Sequence, residues 1–129
     1  MKVTELMIGD WVHAKGIEIT AKVNVIQCAS NAVCLENDGN TFWRLGEEIE
    51  PILLTEDILA KNFEKDDFNF VCVPKCGKGT LSICWSEIFD KWTVAKTNRD
   101  ILIYAQVKYV HELQHALRMC GGDKDIVLI

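Results

Sequence analysis

Along residues 17–25 apolar and polar positions alternate. Ile17, Ile19, Ala21, Val23 and Val25 fall on one side, and Glu18, Thr20, Lys22 and Asn24 on the other, the period of a half-buried strand. The pattern around this segment is of the same kind. Leu6-Met7-Ile8 leads to a turn at Gly9-Asp10, and Trp11-Val12 begins a strand. Ala32-Val33-Cys34-Leu35 forms another, Asn37-Asp38-Gly39-Asn40 is a hairpin turn, and Thr41-Phe42-Trp43-Arg44-Leu45 returns. Short strands joined by tight turns, with no helical period between them, predict a small SH3-like β-barrel over residues 1–52 that ends at Pro51.

The period then changes. Thr55 is a good N-cap, Glu56 and Asp57 suit a helix's first turn, and Ile58, Leu59 and Phe63 give an apolar side. Asn62 is expected as a left-handed stop. Alternation resumes at Phe68, Phe70 and Cys72. After a turn over Pro74–Gly79 it continues through Leu81, Ile83 and Trp85, set against Ser82 and Cys84. Trp92 with Val94, and Ile101 with Ile103, predict two further strands around Asn98-Arg99-Asp100. Val110, Leu113, Leu117 and Cys120 recur at helical steps before Gly121-Gly122, so a helix is expected from about Gln106 to Cys120, covering one face of the sheet. Ile126–Ile129 is expected to add a closing strand. The fold class is therefore α+β: the barrel of residues 1–52, then residues 53–129 as a helix, an antiparallel meander and a closing helix, with or without a shared core. No internal repeat or low-complexity stretch is present.

Composition narrows the function classes. Nearly half the 129 residues are hydrophobic and the net charge is −5. Such a chain can bury a core, and its charge argues against broad nucleic-acid binding, which needs clustered Lys and Arg. No apolar run is long enough to span a membrane, and no basic-then-apolar leader opens the sequence, so a cytoplasmic protein is expected. In that setting the six cysteines are expected as reduced thiols. Cys72 and Cys76 have an uncommon zinc spacing that no second pair repeats.

The chemistry that spacing can encode is concentrated in His111-Glu112-Leu113-Gln114-His115. His-Glu-x-x-His on a helix lets two imidazoles one turn apart hold Zn²⁺ while the Glu serves as general base. A catalytic zinc needs a third protein ligand. Downstream of His115 the sequence holds neither His nor Glu, only Asp123 and Asp125. The other candidates, His13 and Glu87, are remote in sequence. A wheel at about 100° per residue sets His111 and His115 away from Val110, Leu113 and Leu117, on a flank expected to face solvent. Gly77-Lys78-Gly79-Thr80 resembles a phosphate loop without its spacing and reads as a hairpin turn. His13 reads as a lone surface histidine, and Glu47-Glu48 and Asp66-Asp67 as solvated charges. No Ser-His-Asp or Cys-His arrangement is supported. Of the tryptophans Trp11, Trp43, Trp85 and Trp92, large aromatics usually fill cores, but Trp is also enriched as an interface anchor. Trp11 and Trp43, on the first and last barrel strands, are the candidate binding residues.

Three stretches resemble a group of uncharacterised short proteins from gut-anaerobe and associated phage or mobile-element genomes. Glu5-Leu6-Met7-Ile8-Gly9-Asp10-Trp11-Val12 is similar to their Glu-Leu-Arg-Ile-Gly-Asn opening. Ile49-Glu50-Pro51-Ile52-Leu53-Leu54-Thr55 resembles their Pro-Leu-Thr helix start. Tyr109-Val110-His111-Glu112-Leu113-Gln114-His115 resembles a closing helix that reads Tyr-Val-His-Gln-Leu-Gln-Asn. The resemblance brings no activity. It implies that the face of Tyr109, Val110, Leu113 and Gln114 docks the helix on the sheet. It also implies that the metal pattern stands on a helix with another purpose, since Gln and Asn replace Glu112 and His115 in that group. The expected function is a non-enzymatic binding or adaptor module with a protein partner, accessory to a phage or mobile element. The rival is a minimal zinc-dependent hydrolase with His111 and His115 as ligands and Glu112 as base.

Overall fold

A computed structural model describes residues 1–66, 69–72, 80–97, 101–119 and 126–128. The fold is α+β, with two α-helices and two five-stranded antiparallel sheets among those residues. The chain divides into two compact units, Met1–Ile52 and Leu53–Ile129.

The first unit holds β1 (Trp11–Ala14), β2 (Ile19–Gln27), β3 (Ala32–Asn37), β4 (Asn40–Leu45) and β5 (Ile49–Pro51). One-turn 3₁₀ helices lie at Val3–Glu5, Cys28–Ser30 and Gly46–Glu48. The hydrogen-bonded order is β4-β3-β2-β1-β5. β4 and β5 are thus the two edges of an open sheet, and the expected barrel closure is not made. Val12, Ala14, Ala21, Val23, Val33, Leu35 and Ile49 from the strands pack with Val3 and Leu6 into the core. The expected turns form. Asp38 (φ 49°) and Gly39 (φ 80°) are both left-handed, the geometry that matches strand twist in a two-residue hairpin. At the Gly9-Asp10 turn, Asp10 is fully buried and its carboxylate accepts a 2.8 Å bond from Met7 N–H.

The alternation read over residues 17–25 breaks at its end. Lys22 pairs with Glu36 and Val23 with Leu35, but the next pair is Val25 with Cys34. The extra residue is a β-bulge, and a bulge reverses which side chains face inward beyond it. Val25 is therefore turned out, 44% exposed, while Ile26 packs on the core. Gly46 fixes the approach to β5. Its N–H donates to Asn31 O at 2.7 Å and its carbonyl accepts from Met1 N at 2.8 Å. A Cβ there would run into the Met1 carbonyl and the Asn31 amide.

The second unit holds α1 (Glu56–Asn62), β6 (Glu64–Asp66), β7 (Asn69–Cys72), β8 (Thr80–Ser86), β9 (Lys91–Thr97), β10 (Ile101–Val107) and α2 (Val110–Met119). The sheet is a plain meander, β10-β9-β8-β7-β6, and β6 is an addition to the strands expected. Leu59, Phe70, Leu81, Ile83, Val94, Val107, Val110, Leu113 and Leu117 are buried. Trp92 is buried as well, with its indole N–H on Leu54 O at 3.2 Å and its ring edge-to-face with Phe70 and Trp85.

Three expectations are corrected in this unit. Thr55 caps α1 as expected, accepting from Ile58 N–H at 3.3 Å, but Asn62 is not a left-handed stop. It is the last helical residue, followed by extended Phe63. The buried Asn62 amide instead brackets Val127: Oδ1 accepts from Val127 N–H at 2.7 Å and Nδ2 donates to Val127 O at 2.8 Å. The same Nδ2 also donates to Ile58 O at 2.8 Å. The expected closing strand is replaced, over the described residues 126–128, by this side-chain docking with Ile126 buried. Finally, α2 begins at Val110, because Gln106 and Val107 continue β10 and pair with Thr93 and Trp92 of β9. The turns expected at Pro74–Gly79 and Asn98–Asp100, and residues Phe68, Cys76, Cys120, Asp123 and Asp125, lie outside the described residues.

Candidate functional site

The His-Glu-x-x-His segment occupies the first two turns of α2, and each residue has a structural setting. Glu112 Oε1 accepts from the backbone N–H groups of Lys108 and Tyr109, both at 3.0 Å. With Leu113 N–H on Tyr109 O at 3.2 Å, Tyr109 is the N-cap and Glu112 the N3 residue. A carboxylate at N3 reaching back to the cap N–H is half of a capping box, and its charge meets the positive end of the helix dipole. The group required as general base under the zinc reading is therefore engaged with helix-terminal donors.

His111 is buried, 6% exposed, which overturns its expected solvent position. His115 is half-buried. A helical wheel projects every turn onto one circle and loses axial position. His111 shares its angle nearly with Arg118, two turns later, which is exposed. At the first turn, however, the Tyr109 ring stacks on His111 at 6.0 Å and 10°. Val110, Leu113, Gln114, Ala116 and Leu117 are also buried, so the covered arc of α2 is much wider than one apolar stripe. The His111 and His115 rings lie edge-to-face, 5.7 Å apart between centroids, a separation at which two imidazoles can share an ion. Among the described residues no group of three His, Cys, Asp or Glu is placed to hold a metal. Glu87 is exposed in the β8–β9 turn. Cys28, Cys34 and Cys84 are free thiols.

His13 is not a lone histidine. Its Nδ1 is 2.8 Å from Glu50 Oε1 and its Nε2 is 3.0 Å from Glu18 Oε2. Antiparallel register sets His13 directly across from Glu50. Glu50 is far from His13 in sequence, and Glu18 meets it only across the β1–β2 turn, so spacing carried no sign of either pairing. Exposed pairs of this kind contribute little, about 0–1 kcal/mol.

The aromatic candidates share one surface. Val12 and Ala14 point into the core, so Trp11 and His13 lie on the opposite face of the first sheet. Register extends that face across the strands. One row is Trp11, Lys22, Glu36 and Thr41; beyond the bulge the next is Val25, Cys34 and Trp43, followed by Gln27, Ala32 and Leu45. The small Ala32 and Cys34 in the middle strand are buried between larger neighbours. Trp43 is 52% exposed, Val25 44% and Leu45 43%. Half-exposing side chains of this size forgoes roughly 1 kcal/mol each of burial. Trp11 and Trp43 differ in their partners. Lys22 Nζ lies 5.1 Å from the Trp11 ring centroid, a cation–π contact. Among the described residues the Trp43 indole has neither hydrogen bond nor ring contact.

The β4 edge beside this face is partly closed to strand addition. Arg44 Nη1 donates to Trp43 O at 2.8 Å, and Leu45 N–H donates to Glu48 Oε1 at 2.9 Å. Side chains thus satisfy edge groups that a foreign strand would use. Sequence reasoning found Trp11 and Trp43. It missed Val25 and Leu45, because a bulge and a register decide their direction. Among the described residues no helix is long and apolar enough to cross a membrane. Comparison with protein-family models, curated proteins and solved structures yields no match.

Proposed function

We propose that this chain is a non-enzymatic binding module that recognises a protein partner through the outward face of its first sheet, with Trp43 as anchor and Trp11 on the same face, across β3 and β2. The observation that carries the reading is the exposed Trp43 indole, without hydrogen bond or ring contact among the described residues and flanked by Val25 and Leu45. Interface anchors are characteristically Trp, and single scattered hydrophobics need no explanation while a contiguous group does. The strand order β4-β3-β2-β1-β5, with a 3₁₀ turn before β5, supports an SH3-like reading of this unit. The engaged edge of β4 favours recognition by side chains over strand addition. An accessory role in a phage or mobile element follows from the resemblance of the opening and closing segments. In that group the Gln in place of Glu112 would serve the same cap, since capping boxes accept Glu or Gln.

The test is affinity capture from the native host with the full chain and its Trp43→Ser variant, matched by circular dichroism. A partner retained by the parent and lost with the variant supports the reading. Equal capture by both overturns it. The zinc-hydrolase reading has the 5.7 Å ring separation in its favour. It predicts stoichiometric zinc in untagged protein that disappears in His111→Ala; that result would displace the binding-module reading.

A further inference from the structure

We infer that the partner segment taken by this face is basic and extended, presenting an arginine and an apolar side chain two residues apart. This rests on the binding-face reading above and adds the chemistry of the occupant.

Charge is the first argument. Residues 1–52 carry eight Asp and Glu against four Lys and Arg, so this unit holds four of the five net negative charges. On the outward face itself the one cation among the described residues on the Trp11 row, Lys22, is held over the Trp11 ring. Arg44 lies over Phe42, whose side chain packs on the core side. Glu36 is exposed on the outward face and has no ion-pair partner among the described residues. Its cross-strand neighbours are Lys22 and Thr41. The face therefore offers a carboxylate in the row next to an open indole. A guanidinium satisfies both, pairing with a carboxylate and stacking on an aromatic face. That Trp11 already holds an ammonium shows that a ring on this face can take a cation.

Spacing is the second argument. Glu36 and Cys34 are alternate residues of β3, and the Glu36 row and the Cys34–Trp43 row are therefore about 7 Å apart. Alternate side chains of an extended segment have the same repeat. With arginine between Glu36 and Trp43, the side chain two residues on falls beside Val25, Cys34 and Leu45, which are apolar. Acidic or neutral segments could use the apolar row and would leave Glu36 unpaired.

The experiment uses the full chain, labelled with ¹⁵N, and three blocked synthetic peptides in an otherwise Gly/Ser background. One carries Arg and Leu two residues apart, one has Gln for Arg, and one has Glu for Arg. The readout is the indole N–H resonance of Trp43 and the dissociation constant at low and physiological salt. The Arg peptide is expected to shift Trp43 and to bind about tenfold tighter than the Gln peptide. The Glu peptide is expected to bind weakest. Glu36→Gln should remove most of the Arg preference and its salt dependence, and Glu36→Lys should reverse it. If the Gln or Glu peptide binds as well as the Arg peptide and still shifts Trp43, the basic occupant is refuted while the binding face stands. If no peptide moves Trp43, both are refuted.

Discussion

Glu112 shows how a residue can satisfy a chemical pattern while performing a structural task. Its carboxylate meets two backbone donors at the start of α2, so its substitution is a stability experiment. Glu112→Ala should lower stability by about 0.5–2 kcal/mol, the usual range for a lost cap. Glu112→Gln keeps an acceptor and should cost only a few tenths up to about 1 kcal/mol from the lost charge–dipole term. Urea unfolding of both variants checks the ranking; equal losses would mean that the cap is not what the carboxylate provides. Asn62 is the more exacting case. Both ends of its buried amide bracket Val127, and Nδ2 also meets Ile58 O. Asn62→Ala removes three part-buried hydrogen bonds, two of them to the Val127 backbone, and each is worth about 0.5–1.5 kcal/mol net. We expect a loss of at least about 2 kcal/mol, with hydrogen exchange at Val127 N–H rising well before global unfolding. Unchanged protection at Val127 would contradict the docking.

At the scale of elements, legibility followed the locality of the cause. The hairpin over Asn37–Asn40 was readable because two adjacent residues set its geometry, and Asp38 and Gly39 both take positive φ. Gly39→Val should cost about 1–2 kcal/mol, since a β-branched side chain is strained in the left-handed region; the measurement is the shift in urea midpoint. The Thr55 cap was readable for the same reason. The bulge in β2 was not, because it is defined by the register against β3. Removing Asn24 deletes the residue that the ladder leaves over, so Val25 should stay outward opposite Cys34 and Ile26 inward opposite Val33; the cost of losing the bulge can be read from denaturation, with the Trp43 resonance little moved. The boundary between β10 and α2 was misplaced because a period near 3.6 can extend backwards into a strand. Pairing of Gln106 and Val107 with β9 settles that boundary. In the site, Trp11 and Trp43 were named from residue type and from their place on the first and last expected barrel strands. Their common face, the outward turn of Val25 and the engagement of His13 by Glu50 depend on strand pairings between segments separated in sequence.

For the molecule as a whole, the decisive question is whether α2 holds an ion, and mass action turns that into a measurement on the intact protein. A ligand that binds only the folded state stabilises it by an amount set by its concentration relative to the dissociation constant, about 2.7 kcal/mol at a hundredfold excess. For a chain of this size that corresponds to a rise of roughly 10 °C in Tm. On the reading proposed above, zinc at about a hundred times a micromolar dissociation constant should leave Tm unchanged, in the parent and in His115→Ala alike. Two imidazoles with Glu112 engaged at the helix start do not complete the three-ligand set that a reactive zinc requires. A rise of that size in the parent, absent from His115→Ala, would show that another segment supplies the missing ligand. It would then move the functional centre from the tryptophan face of the first unit to the closing helix of the second.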